Sequence, residues 1–111
     1  MPYDPGMDAH RLAERRSLAM HAEIARRLCV DPGVLERGCA PVEEWARSGA
    51  AAAPYVAAWR RVLALPVEAL CAFLVDPDEA ARALRQVTPF AGVLGARERW
   101  RIWRAAATEP R

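Results

Sequence analysis

Apolar positions recur at helical spacing along most of this chain. Met20, Ile24 and Leu28, with Leu18, Ala22 and Ala25, give one apolar face to a helix predicted over residues 8–29, and Asp8 is placed to cap it. Glu23 precedes Arg26 and Arg27 in the favourable order for ion pairs on one helix face, adding about 0.2–0.5 kcal/mol per pair. Asp31-Pro32 reads as a cap followed by the first residue of a second helix. That helix runs through Val34, Leu35 and Trp45 to a stop at Ser48-Gly49, and Gly38 and Pro41 inside it predict a kink or break. Pro54 opens a third helix with Val56, Trp59, Val62 and Leu63 on one side, ending near Leu65. Pro66 opens a fourth, where Val67, Leu70, Cys71 and Leu74 form an apolar stripe. Phe73 and Val75 widen this stripe until Glu68 is the only charge, so the helix belongs in the middle of a bundle or beneath a partner. Asp76-Pro77 repeats the cap-and-proline signature and starts a fifth helix through Ala80, Leu84 and Val87.

The period breaks at Thr88-Pro89-Phe90-Ala91-Gly92-Val93-Leu94-Gly95. A residue before proline avoids the α region, and two glycines flank the segment's apolar end, so an extended or turning stretch is predicted. A last helix over residues 96–107 sets Ala96, Trp100, Trp103 and Ala107 on one side and Arg97, Arg101 and Arg104 on another. Strand-like alternation is absent, and Ala, Leu, Arg and Glu, all good helix formers, dominate. The expected fold is all-α: a small irregular bundle of five to six short helices with an extended Pro/Gly-containing segment before the last helix. It forms one domain, with a helical scaffold over residues 8–87 and a partner-binding segment over residues 88–111.

Size sharpens this picture, since 111 residues suit one core and are too few for two. No apolar run approaches the roughly 18–20 residues of a membrane span, and Met1-Pro2-Tyr3-Asp4-Pro5 lacks the pattern of a signal peptide. Three cysteines, Cys29, Cys39 and Cys71, are an odd set that reads as reduced thiols in a cytoplasmic protein, with Cys29 and Cys71 serving as small hydrophobes. The net charge of +2 hides an uneven spread. Residues 31–78 carry −3 and residues 79–111 carry +4, a polarity that can steer association with an acidic surface or nucleic acid.

No enzyme chemistry emerges. His10, His21 and Cys29 lack a chelating spacing, and His10 with Glu14 makes only two ligands. Ser17 and Ser48 have no nucleophile context, and no glycine-rich phosphate loop is present. The expectation is therefore a protein with no catalytic residue, metal or cofactor. Ile24 through Leu35 resembles the helix, turn and helix start of bacterial repressors, with Arg26, Arg27 and Arg37 as its DNA contacts. Asp31 and Glu36 at the start of the would-be recognition helix repel phosphate and weigh against that. Trp100 and Trp103 with Arg97, Arg101 and Arg104 form the most suggestive cluster, because aromatic and arginine side chains dominate interface hot spots. Phe90, Val93 and Leu94 extend it as apolar anchors.

Two runs resemble a known family. The first is Ser17-Leu18-Ala19-Met20-His21 with Glu23-Ile24-Ala25-Arg26-Arg27-Leu28 and Asp31-Pro32. The second and more specific is Ala81-Arg82-Ala83-Leu84-Arg85-Gln86, then Thr88-Pro89-Phe90-Ala91-Gly92-Val93-Leu94 and Arg97-Glu98-Arg99-Trp100. They are similar to small helical antitoxin-like proteins of GC-rich bacteria, paired with nucleotidyltransferase-like toxins in two-gene toxin–antitoxin modules. Gly38-Cys39-Ala40-Pro41 and Gly95 depart from that pattern. The resemblance implies a non-catalytic protein that binds and neutralises a toxin encoded by an adjacent gene. Arg85, Arg97, Arg101 and Arg104 would then pair with acidic groups, and Phe90, Val93, Leu94, Trp100 and Trp103 would anchor the contact. Two other readings stand beside it: a helix-turn-helix regulator, and a self-associating protein that buries Trp100 and Trp103 in a symmetric homo-oligomer.

Overall fold

The computed structural model describes residues 5–108, with side chains from Ala9 onward. The expected roles of Met1 to Asp4 and of residues 109–111 lie outside what it describes. The described residues form six α-helices and no strand: α1 (Pro5–Val30), α2 (Gly33–Ser48), α3 (Ala53–Leu63), α4 (Val67–Leu74), α5 (Glu79–Arg85) and α6 (Ala96–Thr108), with a single 3-10 turn at Ala91–Val93. The all-α bundle is as expected. α1 is the spine, and at 1.5 Å per residue its length of roughly 39 Å sets the long dimension of the molecule. It packs along α4 and α6 and touches α2 and α5, while α2 lies on α3.

Helix boundaries follow the turn residues. α2 ends on Gly49, whose φ of 77° is left-handed backbone open to glycine, and whose N–H reaches the Trp45 carbonyl at 2.9 Å. Pro54 sits in the first turn of α3, where a missing N–H costs nothing. α1 starts at Pro5, so Asp8 lies inside it. Before α5, Asp76 Oδ1 accepts the Asp78 N–H at 2.8 Å, and the helix stops at Arg85 short of Val87. α4 buries Leu70 and Leu74 on α1 but leaves Val67 and Val75 partly exposed, so it is apolar on more sides than the fold covers.

The core joins Ile24 and Leu28 to Val34, Val42, Val56, Val62, Leu63, Leu70, Leu74 and Leu84 around a fully buried Trp59. The Trp59 indole N–H donates to the Val87 carbonyl at 2.8 Å, so its polar end is satisfied. Phe73 and Phe90 meet its ring edge-to-face, at 6.3 and 6.1 Å between centroids.

One expectation is corrected. The break at Gly38–Pro41 is absent: α2 is continuous with Pro41 inside it. The carbonyl that loses its donor belongs to Arg37, an exposed residue where water can replace it. The segment before α6, expected as extended or turning, takes the turning form. Thr88 Oγ1 accepts the Phe90 N–H at 3.2 Å, the chain tightens into the 3-10 turn, and Phe90, Val93 and Leu94 enter the core. Phe90 lies against Gly38, whose missing side chain opens the surface of α2 to the ring.

His21 pins this segment to α1. Its Nδ1–H donates to the Ser17 carbonyl at 2.7 Å, and its Nε2 accepts the Thr88 hydroxyl at 2.9 Å. Burial and the nearby Arg85 guanidinium hold its pKa below the ordinary histidine value, against the opposing pull of the Ser17 carbonyl and Glu14. The unfolded chain therefore takes up a proton near pH 6.5 that the folded chain refuses until lower pH. Stability contributed by neutral His21 is complete above about pH 6.5 and is lost as pH falls through the folded value. Urea midpoints measured from pH 7 to 5 are expected to fall in the parent and to fall less in His21→Gln; equal slopes would remove His21 as the cause.

Candidate partner-binding surface

α6 begins without a polar N-cap. Glu98 takes over, its Oε1 accepting the Gly95 N–H at 3.3 Å, which is one half of a capping box. Its other oxygen pairs with Arg27 of α1. Arg27 and Arg26 also share Glu23, and the two guanidiniums hold that carboxyl down at about 2. Further along, Arg16 Nε donates to the Trp103 carbonyl at 3.1 Å and Arg15 Nη2 to the Ala106 carbonyl at 3.0 Å. Arg15 thus satisfies a carbonyl of the last turn, which has no partner within the helix. α1 holds α6 at both ends by polar contacts, and between them only Glu98, Ile102 and Ala106 turn inward.

That seam uses small or partly polar residues, and the large side chains face out. Trp100 is 55% exposed and Trp103 38%. Their rings stack at 5.0 Å with planes 17° apart. The Arg16 guanidinium lies 3.2 Å from the Trp103 ring centre, and Arg104 lies 5.9 Å from that of Trp100. Arg97, Trp100, Arg101 and Arg104 line a shallow open cleft of about 470 Å³, and Arg99 flanks a second against Trp100 and Trp103. Among the described residues, Arg97, Arg99, Arg101 and Arg104 have no carboxylate partner. The result, among the described residues, is a stacked aromatic step ringed by arginines without a carboxylate in ion-pair contact.

The expected site therefore divides. Arg97, Trp100, Arg101, Trp103 and Arg104 come together on the outer face of α6. Phe90, Val93, Leu94 and Arg85 do not join them, and their assignment to a partner is corrected: all four are buried by the chain itself. Arg85 Nη2 meets Glu14 at 2.5 Å, and its Nη1 donates to the Asp76 and Leu74 carbonyls at 2.7 and 3.3 Å. It ties the end of α4 to α1. Sequence reasoning passed over Arg99 and Arg16. Arg99 was legible, one helical turn before Trp103, whereas the Arg16 contact is long-range and carries no local signal.

The alternative DNA-contact arginines are all engaged by acids. Arg26 meets Glu23 at 2.6 Å, Arg27 meets Glu23 and Glu98, and Arg37 lies 3.4 Å from Asp31. Asp31 Oδ1 also accepts the Gly33 N–H at 2.9 Å, so the turn works as a helix start with a carboxylate at its tip. Among the described residues, no group of three or more His, Cys, Asp or Glu is arranged to hold a metal, and no helix is long and apolar enough to cross a membrane. No family model, curated protein or solved structure matches this chain.

Proposed function

We propose that this protein acts by stoichiometric binding, as an antitoxin-like inhibitor that lays the outer face of α6 on an acidic surface of a partner enzyme. The observation that carries this reading is the stacked, exposed Trp100–Trp103 pair among arginines that lack carboxylate partners among the described residues. Stacked indoles bury much area while ordering few torsions, which suits interface anchors. Four guanidiniums on one helix favour carboxylates opposite them and oppose a symmetric contact that would bring α6 against its own copy. The resemblance noted in the sequence supplies the class of partner: a nucleotidyltransferase-like toxin, whose metal-binding carboxylates would be occluded. Cytoplasmic residence and the absence of catalysis belong to the same proposal.

The test is co-expression with the product of the neighbouring reading frame, followed by affinity measurement. Trp100→Ala and Trp103→Ala are each expected to weaken binding by about 30-fold, the roughly 2 kcal/mol of a hot spot, while leaving the fold intact. Arg97→Glu with Arg101→Glu is expected to slow association and reverse its salt dependence. Unchanged affinity in the tryptophan variants, or retention of binding when the chain stops at Gly95, would overturn the assignment of α6. Dimerisation of the isolated chain that the tryptophan variants abolish would favour self-association instead. Binding to DNA that weakens steeply with salt would favour a regulator.

A further inference from the structure

Cys29 in the last turn of α1 and Cys71 on α4 bring their sulfurs to 3.8 Å. The residues are far apart in sequence, and the helix contact that aligns them is one of the main packings of the fold. Cys29 is exposed, contrary to its expected place on an apolar stripe, and Cys71 is half-buried with its thiol against the Ala25 carbonyl at 3.4 Å. Cys39 stands elsewhere, on α2 in the cleft lined by Glu43 and Arg60.

We propose that Cys29 and Cys71 are a modification site for peroxide-class oxidants, closing reversibly into an intramolecular disulfide that staples α1 to α4. A disulfide needs about 2.05 Å between sulfurs, so roughly 1.8 Å must close, mostly by rotation of the open Cys29 side chain. The order of events follows exposure. The Cys29 sulfur attacks the peroxide: a sulfur–oxygen bond forms, the oxygen–oxygen bond breaks, and the leaving oxygen takes the thiol proton and departs as water. The Cys71 sulfur then attacks the Cys29 sulfenic acid; the sulfur–sulfur bond forms, the sulfur–oxygen bond breaks, and the Cys71 proton leaves with that oxygen as water. Two thiols lose two electrons in total, and one hydrogen peroxide becomes two waters. Burial and the hydrogen bond with Cys29 push the Cys71 thiol up to about 11, which keeps it protonated during the first step. None of this depends on what α6 binds.

The test uses the full chain with equimolar hydrogen peroxide, followed by thiol alkylation and peptide mass mapping. The expected product is a monomer lighter by about 2 Da, cross-linked between the Cys29 and Cys71 peptides, alkylated at Cys39 and restored by dithiothreitol. Cys39→Ser keeps the bridge and Cys29→Ser abolishes it. Because Cys29 is exposed, that variant retains the helical circular dichroism of the parent even if Cys71→Ser does not fold. Cys29 recovered as sulfinic acid or in an intermolecular disulfide with Cys71 still alkylated, or a bridge that forms only in urea, would overturn the proposal.

Discussion

Gly38→Ala is expected to lower the unfolding free energy by about 1–3 kcal/mol, although alanine is the better helix former. A Cβ there would lie 2.3 Å from Phe90 Cε1 and 2.6 Å from Cζ, well inside van der Waals contact. Phe90 cannot yield cheaply, since it is fully buried and its ring is held against Trp59. The helix-propensity gain of about 1 kcal/mol is outweighed by the strain of moving the ring or the helix. Urea unfolding of Gly38→Ala, Phe90→Leu and the double variant checks this. Leucine lacks the clashing ring atoms, so the double variant is expected to be more stable than the sum of the two single losses predicts. A Gly38→Ala protein more stable than its parent would show that the ring moves freely.

Arg85→Ala should cost more, about 3–5 kcal/mol, the usual penalty for breaking a buried charge pair from one side. The substitution leaves Glu14 with only the longer contact to Arg82, and it strips the guanidinium from the Leu74 and Asp76 carbonyls. Arg85→Met together with Glu14→Gln is expected to recover part of the loss, because neither an isolated charge nor a large cavity remains. Thermal unfolding reads the stability, and partner affinity corrected for the folded fraction reads the role. Unchanged affinity in Arg85→Met fits an arginine that holds α4, whereas a direct loss of affinity would return it to the interface.

How far the sequence carried the fold depended on whether the deciding contact was local. Gly49, Pro54 and Pro66 mark helix ends through their own backbone preferences, and those ends are where the residues placed them. The face of Val56, Trp59, Val62 and Leu63 is one stripe on one helix, and it is the buried stripe. Phe90, Val93 and Leu94 were misplaced because they follow no period, and the burial of Phe90 rests on Gly38, remote in the chain. A clue was present: glycine inside a helix costs about 1 kcal/mol, so its presence there signals a close approach by something bulky. Arg85 offered no such clue. Its partner Glu14 lies near the other end of the chain, and an arginine beside a basic terminus reads as surface until the tertiary contact is known. Trp100 and Trp103 were legible as a pair, since their spacing alone sets them on one face.

α6 rests on a single helix, with two arginine-to-carbonyl bonds, one ion pair and a narrow inward seam holding it there. Detaching it gives up those contacts and the burial of Ile102 and Ala106, while the residues packed around Trp59 keep theirs, so α6 is a unit that can open by itself. Opened at Gly95, α6 would sample orientations and seat itself after encounter, while the remaining helices keep their cooperative unfolding.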